Sequence, residues 1–425
     1  MTKTEYPRIG ETVLTETLPN GLRVAIVPKP GYRKRYAFFT TRYGGMDMKF
    51  KLDGVWHDTP AGIAHYLEHK MFDTEDGNAL LELSMNGAEP NAFTANSMTA
   101  YYFDCTEHFE DNLRRLLSFV TVPWFTEESV EKERGIIAQE IRMTEDSPSW
   151  RLYKDLLGCL YRNSPVSTAI AGTVESIQLI TPQLLYDCHK AFYAPSNMAL
   201  CVVGSVDAEK VVSIAREVVT AEAGEEIERD YGSSEDSVPA RPESRRTMEV
   251  ASRQFLAGFK CDVPAAGEAL LRDSLIGDLA CDVLISSSSP LYNRLYAAGD
   301  INDTFDCEYS QLPGVAYVSL GGECREPERV TKLITDEAAR LGREGVDEAL
   351  FRQLLRASFG SSLRALNSFE NIAAALTDGC FRGFDPNRFP EVYDAITKED
   401  VENYLRVNFV PERQAIAVLE PIERD

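Results

Sequence analysis

Two stretches of this chain repeat one design half a chain apart, and that repeat limits the possible fold more than any other feature. ITPQLLYDCHKAFYAPSNMALCVVG from Ile180 aligns with ITKEDVENYLRVNFVPERQAIAVLE from Ile396 at a constant offset of 216 residues. Ile-Thr opens both; Tyr193 meets Phe409, Pro195 meets Pro411, Ala199 meets Ala415 and Val202 meets Val418. Each copy reads as a Thr-capped helix, a proline-containing turn and an apolar strand. Such a unit recurring at long range predicts a duplicated domain. Between the copies, residues 222–246 (EAGEEIERDYGSSEDSVPARPESRR) are rich in charge, Ser and Pro and nearly devoid of apolar side chains, which predicts a mobile linker. The expected division is therefore 1–221, a linker at 222–246, and 247–425.

Within each half, strand-like runs (LRVAIVP, YAFFTTRYG, TAYYFDC) mix with helical segments at Asn112–Val120 and Glu127–Thr144, without a strict βαβ rhythm. The predicted class is α+β: two duplicated domains, each an antiparallel-rich sheet with helices packed on it. At 44% hydrophobic and 26% charged residues, the chain has enough apolar material for sizeable cores. Its formal charge of −23 argues against nucleic acid or an anionic membrane as partner, since both need a basic surface. No run approaches the roughly 18 apolar residues of a membrane span, and MTKTEYPRIGETVL lacks the apolar core of a secretory signal. Nine singly scattered cysteines with no CxxC pair read as reduced, buried small residues. These features together predict a cytoplasmic protein.

The chemistry concentrates in GIAHYLEHKMF. On a helix beginning near Pro60, His65 and His69 stack on one face, and Glu68 falls within roughly a 100° arc of both. Two imidazoles can then hold one metal while a carboxylate faces its open side. The order is His-x-x-Glu-His, the inverted zinc signature, in which Glu68 would take a proton from zinc-bound water and pass it to the leaving amine. A catalytic zinc needs a third protein ligand. The helix TEESVEKERGIIAQEIRMTED offers Glu133 and Glu140, seven apart and so only about 20° off one face, and by spacing alone either could approach the metal.

GIAHYLEHKMF, PNAFTANSMTAYYF, VEKERGIIAQEI and LLYDCHKAFYAPSNMALCVVG occur in the order and spacing of a known group. The chain resembles the pitrilysin, insulinase and mitochondrial processing peptidase superfamily of inverted zinc peptidases over nearly its full length, and is most similar to the bacterial YmfH-type subfamily. The resemblance implies a zinc metalloendopeptidase binding one Zn²⁺ per chain, with ligands His65, His69 and Glu140, Glu68 as the base and Glu133 supporting them. It also implies that Asn91, Ala92, Phe93 and Thr94 hold extended substrate against a sheet edge. From the residues alone, Asn91 is a turn residue after Pro90.

Many active relatives carry an Arg and a following Tyr in the second half that grip the substrate. The matching region, SPLYNRLYAAGDINDTFDCEYS, has Arg294, Tyr296 and Tyr309 out of that frame and lacks the Gly-Leu-x-Tyr stretch. By resemblance the chain is then half of a clamshell chamber, paired with a zinc-free paralogue that supplies the Arg/Tyr clamp, with a homodimer as runner-up. The expected activity is cleavage of short or unfolded peptides, leader or precursor processing among them. The competing expectation is a catalytically silent binding or assembly subunit, from which the intact His65, Glu68, His69 and Glu140 set argues away.

Overall fold

The structure is a computed structural model that describes residues 1–422; the last three residues of the expected domain 247–425 lie outside it. Strands β1 (Thr2–Tyr6), β2 (Glu11–Thr17), β3 (Arg23–Pro28) and β4 (Arg35–Thr41) precede a hairpin of β5 (Lys49–Leu52) and β6 (Val55–Asp58). Helix α1 (Ile63–Met71), the short strands β7 (Asp73–Thr74) and β8 (Gly77–Asn78), and α2 (Ala79–Met85) lead to β9 (Ala88–Thr94) and β10 (Thr99–Cys105). Helices α3 (Phe109–Thr121), α4 (Glu127–Glu145), α5 (Pro148–Leu160) and α6 (Pro182–Phe192) follow, then β11 (Met198–Gly204) and α7 (Ala208–Val218). The second half runs β12 (Glu243–Met248), β13 (Gln254–Lys260), α8 (Glu268–Ile285), α9 (Pro290–Ala298), β14 (Asp306–Leu312) and β15 (Val315–Glu323). It ends with α10 (Pro327–Glu344), α11 (Glu348–Ala365), α12 (Phe369–Arg382), α13 (Phe389–Ala395), α14 (Lys398–Asn408) and β16 (Gln414–Pro421).

The duplication is written in the sheets. In the first, β3-β11-β4-β10-β9 lie side by side, extended by β2 and β1; in the second the order is β12-β16-β13-β15-β14. In each, the first two strands of that series are parallel and the others antiparallel. The repeated sequence unit folds alike in both copies: Thr181 and Thr397 cap α6 and α14 by accepting from the third residue on, and Pro195 and Pro411 open the turns into β11 and β16. The fold is α+β, with two antiparallel-rich sheets covered by helices.

Strands β4 and β11 are buried along nearly their whole length, so YAFFTT and MALCVVG read as continuous apolar runs rather than alternating ones. One face of the first sheet meets α1, α3 and α6 in a core that includes Phe39, Tyr43, Leu67, Tyr101, Leu116 and Phe192. The other face is covered by α12, whose Phe369, Ile372 and Ala373 pack on Val27, Phe38 and Cys201.

That covering helix departs from the expected division. The compact units are 1–142 with 168–231 and 363–387, and 143–167 with 232–362 and 388–425. The helix after α4 thus lies on the second sheet, where a Cβ at Gly258 would come within 2.9 Å of Leu156 and Leu160 of α5, and α12 lies on the first. An apolar helix face needs a sheet to cover, but its sequence does not say which one.

The segment 222–246 also differs from a mobile linker. In the first unit Ile227 is buried, and Arg229 and Tyr231 donate to Asp47 at 2.9 and 2.8 Å. In the second, Glu235 accepts from the backbone N–H groups of Arg162, Asn163 and Ser164, and residues from Glu243 onward form β12. Charged residues that read as solvated are here partners of buried groups. Asp47 is 1% exposed, and burial raises its pKa even though Arg229, Tyr231 and the Gly44 N–H all favour its charged form. Arg229→Met removes the cation that is hydrogen-bonded to that carboxylate and is expected to destabilise the protein by about 3–5 kcal/mol in denaturant unfolding. An unchanged midpoint would mean that Tyr231, Gly44 and the charge of Arg42 suffice.

Candidate metal centre

Helix α1 begins at a place only glycine can occupy. Gly62 has φ 95°, and a Cβ there would lie 2.5 Å from the carbonyl oxygen of Ala171; reciprocally, a Cβ on Gly172 would lie 2.3 Å from that of Ala61. From this crossing, Ile63, Ala64, Tyr66, Leu67 and Met71 go into the core, which leaves His65 and His69 together on the side facing α4. On α4, Val130, Ile137, Ala138 and Ile141 are the buried stripe, and Glu133 and Glu140 run along one side of it. The buried hydroxyl of Tyr66 donates to the carbonyl of Val130 and ties the two helices.

His65 Nε2 lies 3.4 Å from Glu140 Oε1, and His69 Nε2 lies 3.4 Å from Glu140 Oε2. Among the described residues, His65, His69 and Glu140 are the His, Cys, Asp or Glu group with ligand atoms gathered closely enough for one ion, all within 4.8 Å of one another. Ligands about 2.0–2.2 Å from a tetrahedral zinc stand about 3.3–3.5 Å apart, so the two Nε2–carboxylate separations fit that ion. The donor set fits as well, two imidazoles and one carboxylate.

The other ring nitrogen of His69, Nδ1, is 2.9 Å from Glu133 Oε1. A proton on Nδ1 donates to that carboxylate and leaves the Nε2 lone pair turned toward Glu140. His65 has no such partner at its other ring nitrogen: its Nδ1 is buried without a hydrogen bond. Burial opposes the charged form of His69, yet the bond to Glu133 and the charges of Glu68, Glu133 and Glu140 hold its pKa above the ordinary histidine value. Contact with His65, and then the charge of His69, lowers the pKa of Glu140 despite its partial burial. Three carboxylates facing two imidazoles form a site that calls for a dication.

Glu68, 7% exposed, does not join the ligand group; its Oε2 accepts from the Thr94 hydroxyl at 2.6 Å. Thr94 ends β9, the outermost strand of the first sheet. All four residues of the NAFT stretch lie on this edge strand, but alternation splits them. Ala92 and Thr94 turn toward α1, whereas Phe93 packs against Phe38 and Tyr102 on the opposite face. The contact between Thr94 and Glu68 was missed in the sequence, although the parity of PNAFT separates Thr94 from Phe93.

The insulinase pattern (peptidase family M16) matches residues 54–174, and the peptidase M16 inactive domain matches residues 179–358. The chain is 38% identical over 424 residues to an uncharacterized zinc protease, YmfH, of Bacillus subtilis (strain 168), with 98% of each sequence covered. A second uncharacterized zinc protease, from Mycobacterium leprae (strain TN), is 31% identical over 210 residues, 48% of this chain and 45% of that one. Among solved structures, an M16-like peptidase from Alicyclobacillus acidocaldarius superposes with a TM-score of 0.93 at 32% identity, covering 99% of this chain and 100% of the other. A protease from Helicobacter pylori shares the fold, with a TM-score of 0.81 at 19% identity over 96% and 99% of the two chains.

His65→Ala is expected to abolish stoichiometric zinc, read by elemental analysis, because one of three protein ligands is gone. Glu133→Gln should retain the site and weaken metal affinity about 10- to 100-fold, the usual effect of losing a partner that orients a ligand. Equal collapse in both would place Glu133 in direct contact with the metal.

Proposed function

The chain belongs to the insulinase family of metallopeptidases (peptidase family M16), and on that premise we propose that it is a zinc-dependent endopeptidase acting on short or unfolded peptides. The observation that carries this reading is the placement of a nearly buried carboxylate, Glu68, between the His65, His69 and Glu140 group and the end of an edge strand. His65, His69 and Glu140 would hold a zinc ion, whose Lewis acidity would polarise a peptide carbonyl and lower the pKa of water.

The chain's own residues do the rest. Glu68 takes a proton from the attacking water on its carboxylate and later delivers it to the departing amine nitrogen, so one group serves as base and then as acid. Edge strand β9 offers main-chain donors and acceptors to a peptide in extended form. Recognition through the backbone tolerates many sequences and requires an extended segment, which favours short or unfolded substrates over folded ones. Among the described residues no helix is long and apolar enough to cross a membrane.

The absent clamp supports a second element of the proposal, a partner chain. Tyr309 is 6% exposed and its hydroxyl is committed to Asp273, while Tyr296 is exposed on α9 beyond the frame in which relatives place an Arg and Tyr. We therefore infer a heterodimer with a zinc-free paralogue that supplies the grip, a homodimer being the runner-up. Full peptidase activity from an isolated monomer, established by native mass measurement, would end that inference.

Glu68→Gln keeps the size of the side chain and removes its basicity. It is expected to leave zinc content unchanged and to lower cleavage of a quenched peptide library about 10²- to 10⁴-fold, the usual contribution of a general base. Unchanged cleavage by a zinc-loaded variant would remove Glu68 from the chemistry.

A further inference from the structure

Thr94 stands among residues whose place on the edge strand suggests contact with substrate, but its side chain is occupied elsewhere. Its hydroxyl lies 2.6 Å from Glu68 Oε2, a length typical of a hydroxyl donating to a carboxylate. Thr94 has one hydroxyl proton, and a carboxylate can only accept, so that proton belongs to Glu68. Behind it, Thr99 lies opposite Thr94 in the β9–β10 pair; its hydroxyl donates to the Tyr43 carbonyl at 2.8 Å and sits 3.4 Å from Thr94 Oγ1. The turn joining the two strands is held as well. Gly45 and Met46 donate to the carbonyls of Ala95 and Asn96 at 2.9 Å, and a Cβ on Gly44 would come within 2.5 Å of that turn's backbone. Thr94 is thus a fixed donor on a clamped strand end.

Resting on the peptidase reading above, we propose that Thr94 is a positioning residue that holds Glu68 by Oε2 and leaves Oε1 as the oxygen that moves the proton. Without the hydroxyl, the Glu68 side chain is free to rotate, and only some of its positions present a carboxylate oxygen to the reacting water. The arrangement also joins two tasks: the strand that would receive an extended peptide is the one that aims the base.

Three variants of the zinc-loaded full chain test this, assayed on a quenched peptide library with any partner required for activity. Thr94→Val keeps the branched shape suited to a strand and removes the donor. It is expected to lower kcat about 10- to 100-fold, as for loss of a hydrogen bond to a charged group, with KM within about 2-fold and zinc retained. Thr94→Ala should match it, and Thr94→Ser should recover most of kcat. A rise in KM with kcat held would make Thr94 a substrate contact, Ser as impaired as Val would make the methyl group the important part, and loss of zinc would make the role structural; each overturns the proposal. Glu68→Gln runs in parallel. If it cleaves like the unaltered chain, Glu68 is not the base and the inference falls with it; if the unaltered chain itself cleaves nothing, the peptidase reading falls, and crystal structures then decide Thr94 independently of activity. Glu68 should hold one carboxylate position in the unaltered and Ser proteins and leave it in Val; an unmoved Glu68 in Val sinks the inference.

Discussion

The hydroxyl of Tyr66 meets the carbonyl of Val130 in the core between α1 and α4, and the register of the metal centre depends on that meeting. His65 and His69 belong to one helix and Glu140 to the other, so the ligand group exists only while the two helices keep their relative position. A slip of α4 by a single turn, about 5.4 Å, would carry Glu140 out of reach of both imidazoles. Val130, Ile137 and Ile141 resist that slip by packing, and the Gly62–Gly172 crossing fixes where α1 starts. The polar site is thus assembled by core contacts close to the ligands in sequence, Ala64 and Tyr66 beside His65 and Ile141 beside Glu140.

The duplicated half shows what the same framework does without those ligands. Its sheet repeats the strand order of the first. Between β13 and β14, however, the second half places α8, which has no histidine and whose Cys281, Leu284 and Ile285 are 3%, 0% and 2% exposed. Side chains that would carry chemistry are replaced by side chains that fill a core, and α8 is held against β14, where a Cβ on Gly277 would come within 2.6 Å of the Tyr309 ring. One architecture therefore carries a candidate metal-ligand group in one copy and a packed core in the other.

The His-x-x-Glu-His group was legible in the sequence because helical spacing alone brings its members to one face. Glu133 and Glu140 were legible as a pair. Their separate roles came from the resemblance and not from spacing, which cannot say which carboxylate meets Nε2 and which meets Nδ1; that depends on how α4 is set against α1. The repeat gave away two matching sheets because it fixed a helix, a turn and a strand in each. It concealed the exchange of α5 and α12, since each has an apolar face suited to either sheet. Residues 222–246 were misread for a different reason: their ties are Arg229 to Asp47 and Glu235 to backbone N–H groups, and charges in such bonds have the composition of charges in water.

The crowding of carboxylates around His69 sets how the centre responds to pH. Burial alone would favour a neutral ring, but Glu133, Glu68 and Glu140 together raise its pKa above the ordinary value. A raised folded pKa adds stability to the metal-free protein that is fully present below the unfolded histidine pKa and disappears as pH rises through the folded value. A metal binds the deprotonated ring, so it competes with the proton that the carboxylates have strengthened. Metal affinity therefore weakens as pH falls through that raised value. The same Glu133 that turns Nε2 toward the metal also stabilises the doubly protonated ring, whose Nε2 proton competes with the metal, so the orientation of His69 and the pH sensitivity of the site have one cause.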